Sequence, residues 1–165
     1  MDILWSPWRM QYILGPKPDE CVFCLPAEAD ASEDAERLVL HRGKTAFVIM
    51  NKYPYNAGHL LVVPFRHTMD YCGLTEEERA EIFALSQLCV TVLETASRPQ
   101  GFNLGFNLGE AAGAGVKGHI HMHVVPRWNG DSSFIAVLGD VRSLPEHLER
   151  TYARLKPVFE ELTHP

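Results

Sequence analysis

The residues best suited to chemistry lie together in His119-Ile120-His121-Met122-His123, where three of the chain's eight histidines stand at i, i+2 and i+4. Strict alternation with apolar residues is strand patterning, in which successive side chains point to opposite faces. The three imidazoles then share one face, about 6.6–7 Å apart along the strand. At that spacing neighbouring rings do not hydrogen-bond each other, so each needs a partner from some other part of the chain. A half-buried strand with a chance polar face is the plain alternative, and three histidines in five residues make it a poor one. Two chemistries remain open: a metal site, or a histidine nucleophile with flanking helpers. An imidazole suits the second role because its neutral form is well populated near pH 7. All three rings on one zinc ion do not fit, since the triad spans about 13–14 Å against Zn–N bonds of about 2.0–2.1 Å.

Two further patterns bear on chemistry. Cys21 and Cys24 have the two-residue spacing of a zinc knuckle, but no second close pair follows. A four-ligand structural site would need two more ligands from elsewhere; the alternative is a pair of reduced, buried thiols. Glycines 109, 113, 115 and 118 crowd the ten residues before the triad. Such a loop lets backbone N–H groups approach a phosphate closely.

Other elements must hold these groups in place. Thr75 and Glu78 form a capping-box pattern that opens a helix over residues 75–97, with Ile82, Leu85, Leu88, Cys89, Val92 and Leu93 as its apolar stripe. Strands are expected within Val39–Met50 on either side of a turn at residues 41–44, at His59–Pro64, at Phe102–Asn107 and at Phe134–Leu138. The His59–Pro64 run is apolar on both faces and reads as central. A last helix is expected from a cap-like start at Ser143–Glu146, with Pro157 kinking or interrupting it. Hairpin-like connections plus two main helices predict a single α+β domain over residues 21–165 with a mainly antiparallel sheet. Residues 1–20 read as an irregular aromatic arm whose Trp5 and Trp8 pack on the domain or on a second subunit.

Composition narrows the partners. The net charge of −6 argues against nucleic acid as the main partner, because such domains usually present a basic face. No run approaches the ~18 apolar residues of a membrane span, and four cysteines without a secretory leader point to reducing cytoplasm.

With its apolar spacers, His119-Ile120-His121-Met122-His123-Val124-Val125 resembles the signature of the histidine triad (HIT) family of nucleotide hydrolases and transferases. Residues 46–51, 58–64 and 107–113 fall in the family's order, so the resemblance covers about residues 38–140. The Leu4–Arg9 arm, the Asn51–Asn56 run and the Val124–Asp131 segment are most similar to the Fhit-like branch, and within it to bacterial diadenosine tetraphosphate phosphorylases and hydrolases. The resemblance implies the HIT fold, a five-stranded sheet, and a homodimer. It implies that His121 attacks the α-phosphorus of a dinucleoside polyphosphate, or of a nucleoside phosphoramidate, to give a nucleotidyl-His121 intermediate. His123 would hold α-phosphate oxygens. Asn107 and the backbone amides of Gly113, Ala114 and Gly115 would stabilise phosphoryl charge. Asn51 would bind the ribose, and Phe47 and Ile49 would line the base pocket. Resemblance to zinc-carrying relatives nominates His67 and His119 to complete a structural zinc site with Cys21 and Cys24. A non-catalytic nucleotide-binding protein on the same fold is the alternative. One departure stands out: relatives often carry Gln-Ser or Gln-Thr before the triad, where this chain has Ala114-Gly115-Val116-Lys117-Gly118. Leaving-group activation then falls to backbone amides or to Lys117.

Overall fold

The computed structural model describes residues 21–25, 31–114, 116, 118–131 and 145–163. The aromatic arm, the strand expected at 134–138, Gly115, Lys117 and the start of the last helix at 143–144 lie outside them. Five strands form one antiparallel sheet in the order β1-β2-β3-β5-β4. They are β1 (Val39–Arg42), β2 (Ala46–Met50), β3 (Leu60–Pro64), β4 (Gly101–Phe106) and β5 (Met122–Arg127). The short helix α1 (Asp34–Arg37) precedes the sheet, α2 (Glu76–Ser97) follows β3, and α3 (Leu148–Thr163) closes the chain. Among the described residues no helix is long and apolar enough to cross a membrane.

Strand alternation divides the core in two. Ala46, Val48, Met50, Leu60, Val62, Met122 and Val124 turn to the face covered by α2 and α3, meeting Ile82, Leu93, Leu155 and Phe159. Phe47, Ile49, Leu61 and Val63 turn the other way and pack against Phe23 and Leu25 from the Cys21–Cys24 segment. β3 is the central strand expected of a run apolar on both faces. The capping box forms as its pattern predicts, with Thr75 Oγ1 accepting from Glu78 N and the Glu78 carboxylate accepting from Thr75 N.

Two local expectations change. The ladder of β5 begins at Met122, leaving His119 and His121 just before it. The amide of Ile120 donates to Thr68 O at 2.7 Å instead of joining a neighbouring strand, so the start of the triad is tethered to the loop after β3. The alternation survives this bend, since Ile120 still joins the helix-side core. Helix α3 runs through Pro157 without a break. Leu155 and Phe159, two residues to either side, are both fully buried and hold that turn on the sheet.

The β1–β2 hairpin is clasped from α2 by Glu81. Its carboxylate accepts from the amides of Lys44 (2.8 Å), Thr45 and Ala46 (2.9 Å) and from Thr45 Oγ1 (2.6 Å). Gly43 admits this contact, because a Cβ there would lie 2.5 Å from Glu81 Oε1. Burial would raise the Glu81 pKa, but the four donors outweigh it and hold the carboxyl below its usual 4.5. A depressed folded-state pKa contributes stability above the unfolded value and loses it as pH falls. Glu81→Ala is therefore expected to lower unfolding stability by about 2 kcal/mol at pH 7. In urea titrations the gap to wild type should close below pH 4.5; an equal gap at pH 3 would count against the clasp.

Candidate active site and metal centre

Four buried imidazoles line up along the second face of the sheet, and each has its proton placed by a neighbour of known polarity. The backbone N–H of Tyr55 donates to His59 Nδ1 at 3.0 Å, and Asn51 Nδ2 lies 3.2 Å from the same atom. An amide can only donate, so Nδ1 of His59 carries the lone pair and Nε2 the proton. That Nε2–H donates to His123 Nδ1 at 2.9 Å. The remaining proton of His123 is then on Nε2, a buried donor with no partner among the described residues. Such an orphan costs about 1–3 kcal/mol unless something accepts from it, and a ligand oxygen is a suitable acceptor.

His121 is set in the opposite sense. Its Nδ1 donates to the backbone oxygen of His119 at 2.9 Å, which leaves Nε2 with a free lone pair. The partner expected from a distant part of the chain is thus its own neighbour two residues back. His121 and His123 meet edge to face with ring centroids 4.9 Å apart, closer than the strand rise because the rings lean together. Gly105 lies opposite His123 on β4, and its missing side chain leaves that flank open. Burial lowers the pKa of all four rings: His59 to about 3, with help from His123 and His121, and His123 to about 4, with help from His121. For His119 and His121 burial also dominates, opposed by their backbone partners. A neutral His121 beside an N–H donor has the chemistry that a nucleophile next to an oxyanion site requires.

His119 faces elsewhere. Its Nε2–H donates to Pro64 O at 2.7 Å, turning the Nδ1 lone pair toward the cysteines. Cys21 Sγ is 3.4 Å and Cys24 Sγ 3.9 Å from that nitrogen, and Cys24 Sγ is 3.2 Å from His67 Nδ1. All four ligand atoms lie within 4.8 Å of one another. Tetrahedral zinc with Zn–S near 2.3 Å and Zn–N near 2.05 Å sets S···N separations of about 3.5 Å, in the middle of the observed range. The carbonyl behind His119 is the kind of outer partner that fixes a ligand imidazole's tautomer. Phe23, between the two cysteines, lies against both His119 (5.9 Å) and His121 (4.9 Å).

A cavity of about 470 Å³ opens on the other side of His121, between the loop at Met69–Cys72 and the loop at Asn107–Glu110. His119, His121, Asn107 and Ala114 contribute to its wall.

The HIT domain profile matches residues 32–130. The chain belongs to the HIT family. An AP-4-A phosphorylase of Mycobacterium tuberculosis is 43% identical over 154 residues, covering 90% of this chain and 79% of that protein. A bis(5'-adenosyl)-triphosphatase of Dictyostelium discoideum is 31% identical over 123 residues, covering 70% and 81%. A solved structure described as a Zn-bound histidine triad family protein from Mycobacterium smegmatis is similar at TM-score 0.67 and 32% identity, covering 87% of this chain and 96% of that one.

The nominated residues of this HIT protein fall into three groups. Cys21, Cys24, His67 and His119 meet in one cluster. Asn107, Ala114 and His121 border the cavity, and Gly113 sits beside it with φ of 82°. Asn51, Phe47 and Ile49 lie apart from that cavity. Asn51 spends its side chain within the protein, its Oδ1 accepting from Tyr53 N at 2.8 Å and its Nδ2 beside His59. Phe47 is fully buried, 5.2 Å from Phe65. Sequence reasoning missed His59, Tyr55 and Phe23 as members of the site. Tyr55 stacks on His123 at 5.5 Å. The available signal for His59 was a lone imidazole opening an otherwise apolar central strand.

His59 also dictates a pH response. Unfolded, it takes up a proton near pH 6.5; folded, not until about 3. Stability is full above pH 6.5 and drains as pH falls, by about 1.6 kcal/mol from this one group between pH 6.5 and 5. His59→Asn should flatten the stability–pH curve by that amount in denaturant titrations, and an unchanged slope would contradict a neutral His59.

Proposed function

We propose that this HIT protein cleaves dinucleoside polyphosphates of the diadenosine tetraphosphate type through a covalent nucleotidyl-His121 intermediate. The observation that carries the reading is the pairing of a neutral His121, lone pair on Nε2, with the unpartnered Nε2–H of His123. His121 Nε2 bonds to the α-phosphorus as the bond to the bridging oxygen of the β-phosphate breaks, releasing ATP. An oxygen of orthophosphate, or of water, then attacks the same phosphorus, and the His121–phosphorus bond breaks to give ADP or AMP. His123 donates to the α-phosphate oxygens as charge builds on them. Asn107, Gly113, Ala114 and Gly115 are assigned to the remaining phosphates; the Gly113 and Ala114 amides donate to Glu110 O (2.9 Å) and Gly109 O (3.2 Å), so phosphate binding has to draw them out of that turn. Asn51 reaches the ribose with the hydrogen-bonding capacity it does not spend on His59 and Tyr53, while Phe47 and Ile49 back the base pocket. The named activities of the mycobacterial and Dictyostelium relatives support the substrate class.

Intact mass after a quenched incubation with diadenosine tetraphosphate should show one adenylyl adduct. His121→Asn should lose the adduct and at least about a thousandfold in turnover. Undiminished turnover in that variant would instead favour binding without catalysis. Running the wild type with and without orthophosphate separates phosphorylase from hydrolase, since the first yields ADP and the second AMP. A homodimer is part of the proposal, with β4, an edge of the sheet among the described residues, as the surface that pairs; sedimentation at monomer mass would remove it.

We also propose that Cys21, Cys24, His67 and His119 hold a structural zinc ion. Two thiolates and two neutral imidazoles are a donor set that zinc favours, and four protein ligands leave no position for water. The ion would supply a cross-link between the knuckle and the sheet. Protein purified without chelators should carry one zinc per chain, and Cys24→Ser should lose it together with part of the thermal stability. Wild type that carries no zinc, with stability unchanged in Cys24→Ser, would end this proposal.

A further inference from the structure

Asn56, in the connection between β2 and β3, and Asp131, in the turn after β5, have no part in the site described so far. They bond to each other although 75 residues separate them in the chain. Asn56 Nδ2 donates to Asp131 Oδ2 at 2.7 Å and to Pro126 O at 3.0 Å. Both partners can only accept, so the orientation of the amide is fixed and both its protons are used. Pro126 lies on β5, three residues beyond His123, and the connection is thereby pinned to the strand that carries His123. Asn56 O accepts from His59 N at 3.1 Å, which ties the same residue to the start of β3.

Asp131 is the anchor. Its side chain is 12% exposed. Besides Asn56, its carboxylate accepts from Arg127 Nε and Nη2, each at 2.7 Å, and from Trp128 N at 3.1 Å. Such a two-pronged guanidinium pair fixes direction as well as distance. Arg127 also donates to Asn103 Oδ1 on β4 at 2.8 Å. The Arg127 guanidinium holds the Asp131 carboxyl well below the usual carboxylate range, so it stays an acceptor.

What the anchor protects is the sense of a hydrogen-bond chain. The two donors beside His59 Nδ1, Tyr55 N and Asn51 Nδ2, both belong to the connection that Asn56 pins. The chain from His59 to His123 can also run backward. A proton on His59 Nδ1 would leave its Nε2 as acceptor, make His123 Nδ1 the donor, and put a lone pair on His123 Nε2. A lone pair there repels a phosphate oxygen, so the reversed chain loses its oxyanion donor.

We propose that Asn56 and Asp131 are positioning residues for the cleavage. By holding the connection on β5 they keep the Tyr55 amide on His59 Nδ1 and, through His59, the N–H on His123 Nε2. Their part in catalysis rests on the cleavage reading given above; their control of the tautomer does not.

Long-range nitrogen–proton NMR correlations on protein labelled at histidine read which ring nitrogen holds the proton, with no turnover involved. Wild type should show His59 and His123 each as a single tautomer protonated on Nε2. In Asn56→Ala both should become mixtures. Its kcat/KM for diadenosine tetraphosphate should fall with the population, about tenfold where one molecule in ten keeps the wild-type tautomer. Asp131→Asn retains the shape but gives up an acceptor oxygen, so both readouts should move the same way and less far. It decides the matter alone if Asn56→Ala does not fold. Glu81→Ala, weakened at the β1–β2 hairpin, should keep the wild-type tautomers and kcat/KM wherever it is folded. Mixed tautomers in wild type or in Glu81→Ala, or unchanged tautomers in the Asn56 and Asp131 variants, overturn the proposal. Mixed tautomers with wild-type kcat/KM overturn it too. Tautomers that shift as expected, in a protein whose wild type cleaves nothing and forms no adduct, overturn the cleavage reading and leave the tautomer control standing.

Discussion

A buried imidazole can serve as a nucleophile, a donor or a ligand, and which it becomes depends on where its single proton sits. In this site that choice is made by backbone groups, whose polarity is fixed. The Tyr55 amide forces the lone pair of His59 onto Nδ1, and the consequence passes through His59 to leave His123 as a donor. The His119 carbonyl takes the Nδ1 proton of His121, and the Pro64 carbonyl takes the Nε2 proton of His119. Three chemically identical side chains thereby present different atoms: His123 an N–H, His121 a lone pair on Nε2, and His119 a lone pair on Nδ1 turned toward the cysteines. Burial lowers the pKa of each of these rings and so favours the neutral form on which the assignments depend.

The sheet makes this possible by being dressed differently on its two faces. Helices α2 and α3 cover one face with a continuous aliphatic core. Among the described residues the other carries Val39, Phe47, Ile49, Leu61 and Val63, with the Cys21–Leu25 segment laid over them. His119 and His121 lie on this side and line the cavity. β3 and β5 supply both sides of the arrangement, since Leu61 and His123 are paired partners pointing the same way.

Much of this was legible in the sequence, and what was not has a physical explanation. The strand pattern of the triad, a mainly antiparallel sheet and the helix expected over residues 75–97 follow from periodicity and capping, which act over a few residues; the count of five strands came through family resemblance. The joining of Cys21 and Cys24 to His67 and His119 came through family resemblance, because nothing local links residues 98 apart. His59 and Tyr55 were invisible as site members. Their roles rest on a backbone amide turning inward at one point of the 51–58 connection, and a turn's composition does not report where its N–H groups point. The end of the β5 ladder was misplaced for a similar reason: Ile120 keeps the strand pattern while its amide bonds to Thr68 outside the sheet. Pro157 was expected to kink or interrupt α3; the helix continues through it, and the burial of Leu155 and Phe159 offsets the lost hydrogen bond of one turn.

The Cys21–Cys24 segment joins what look like separate tasks. Its two thiols reach His67 and His119, while the residue it places inward, Phe23, lies on the rings of both His119 and His121. Phe23 is 7% exposed, so it contributes to the burial that lowers the His121 pKa. The thiol–imidazole contacts that tie this segment to the sheet and the desolvation of His121 are therefore consequences of one packing arrangement. Among the described residues, a five-residue segment held by thiol–imidazole contacts at Cys21 and Cys24 covers one side of His121, whose ring also borders the cavity.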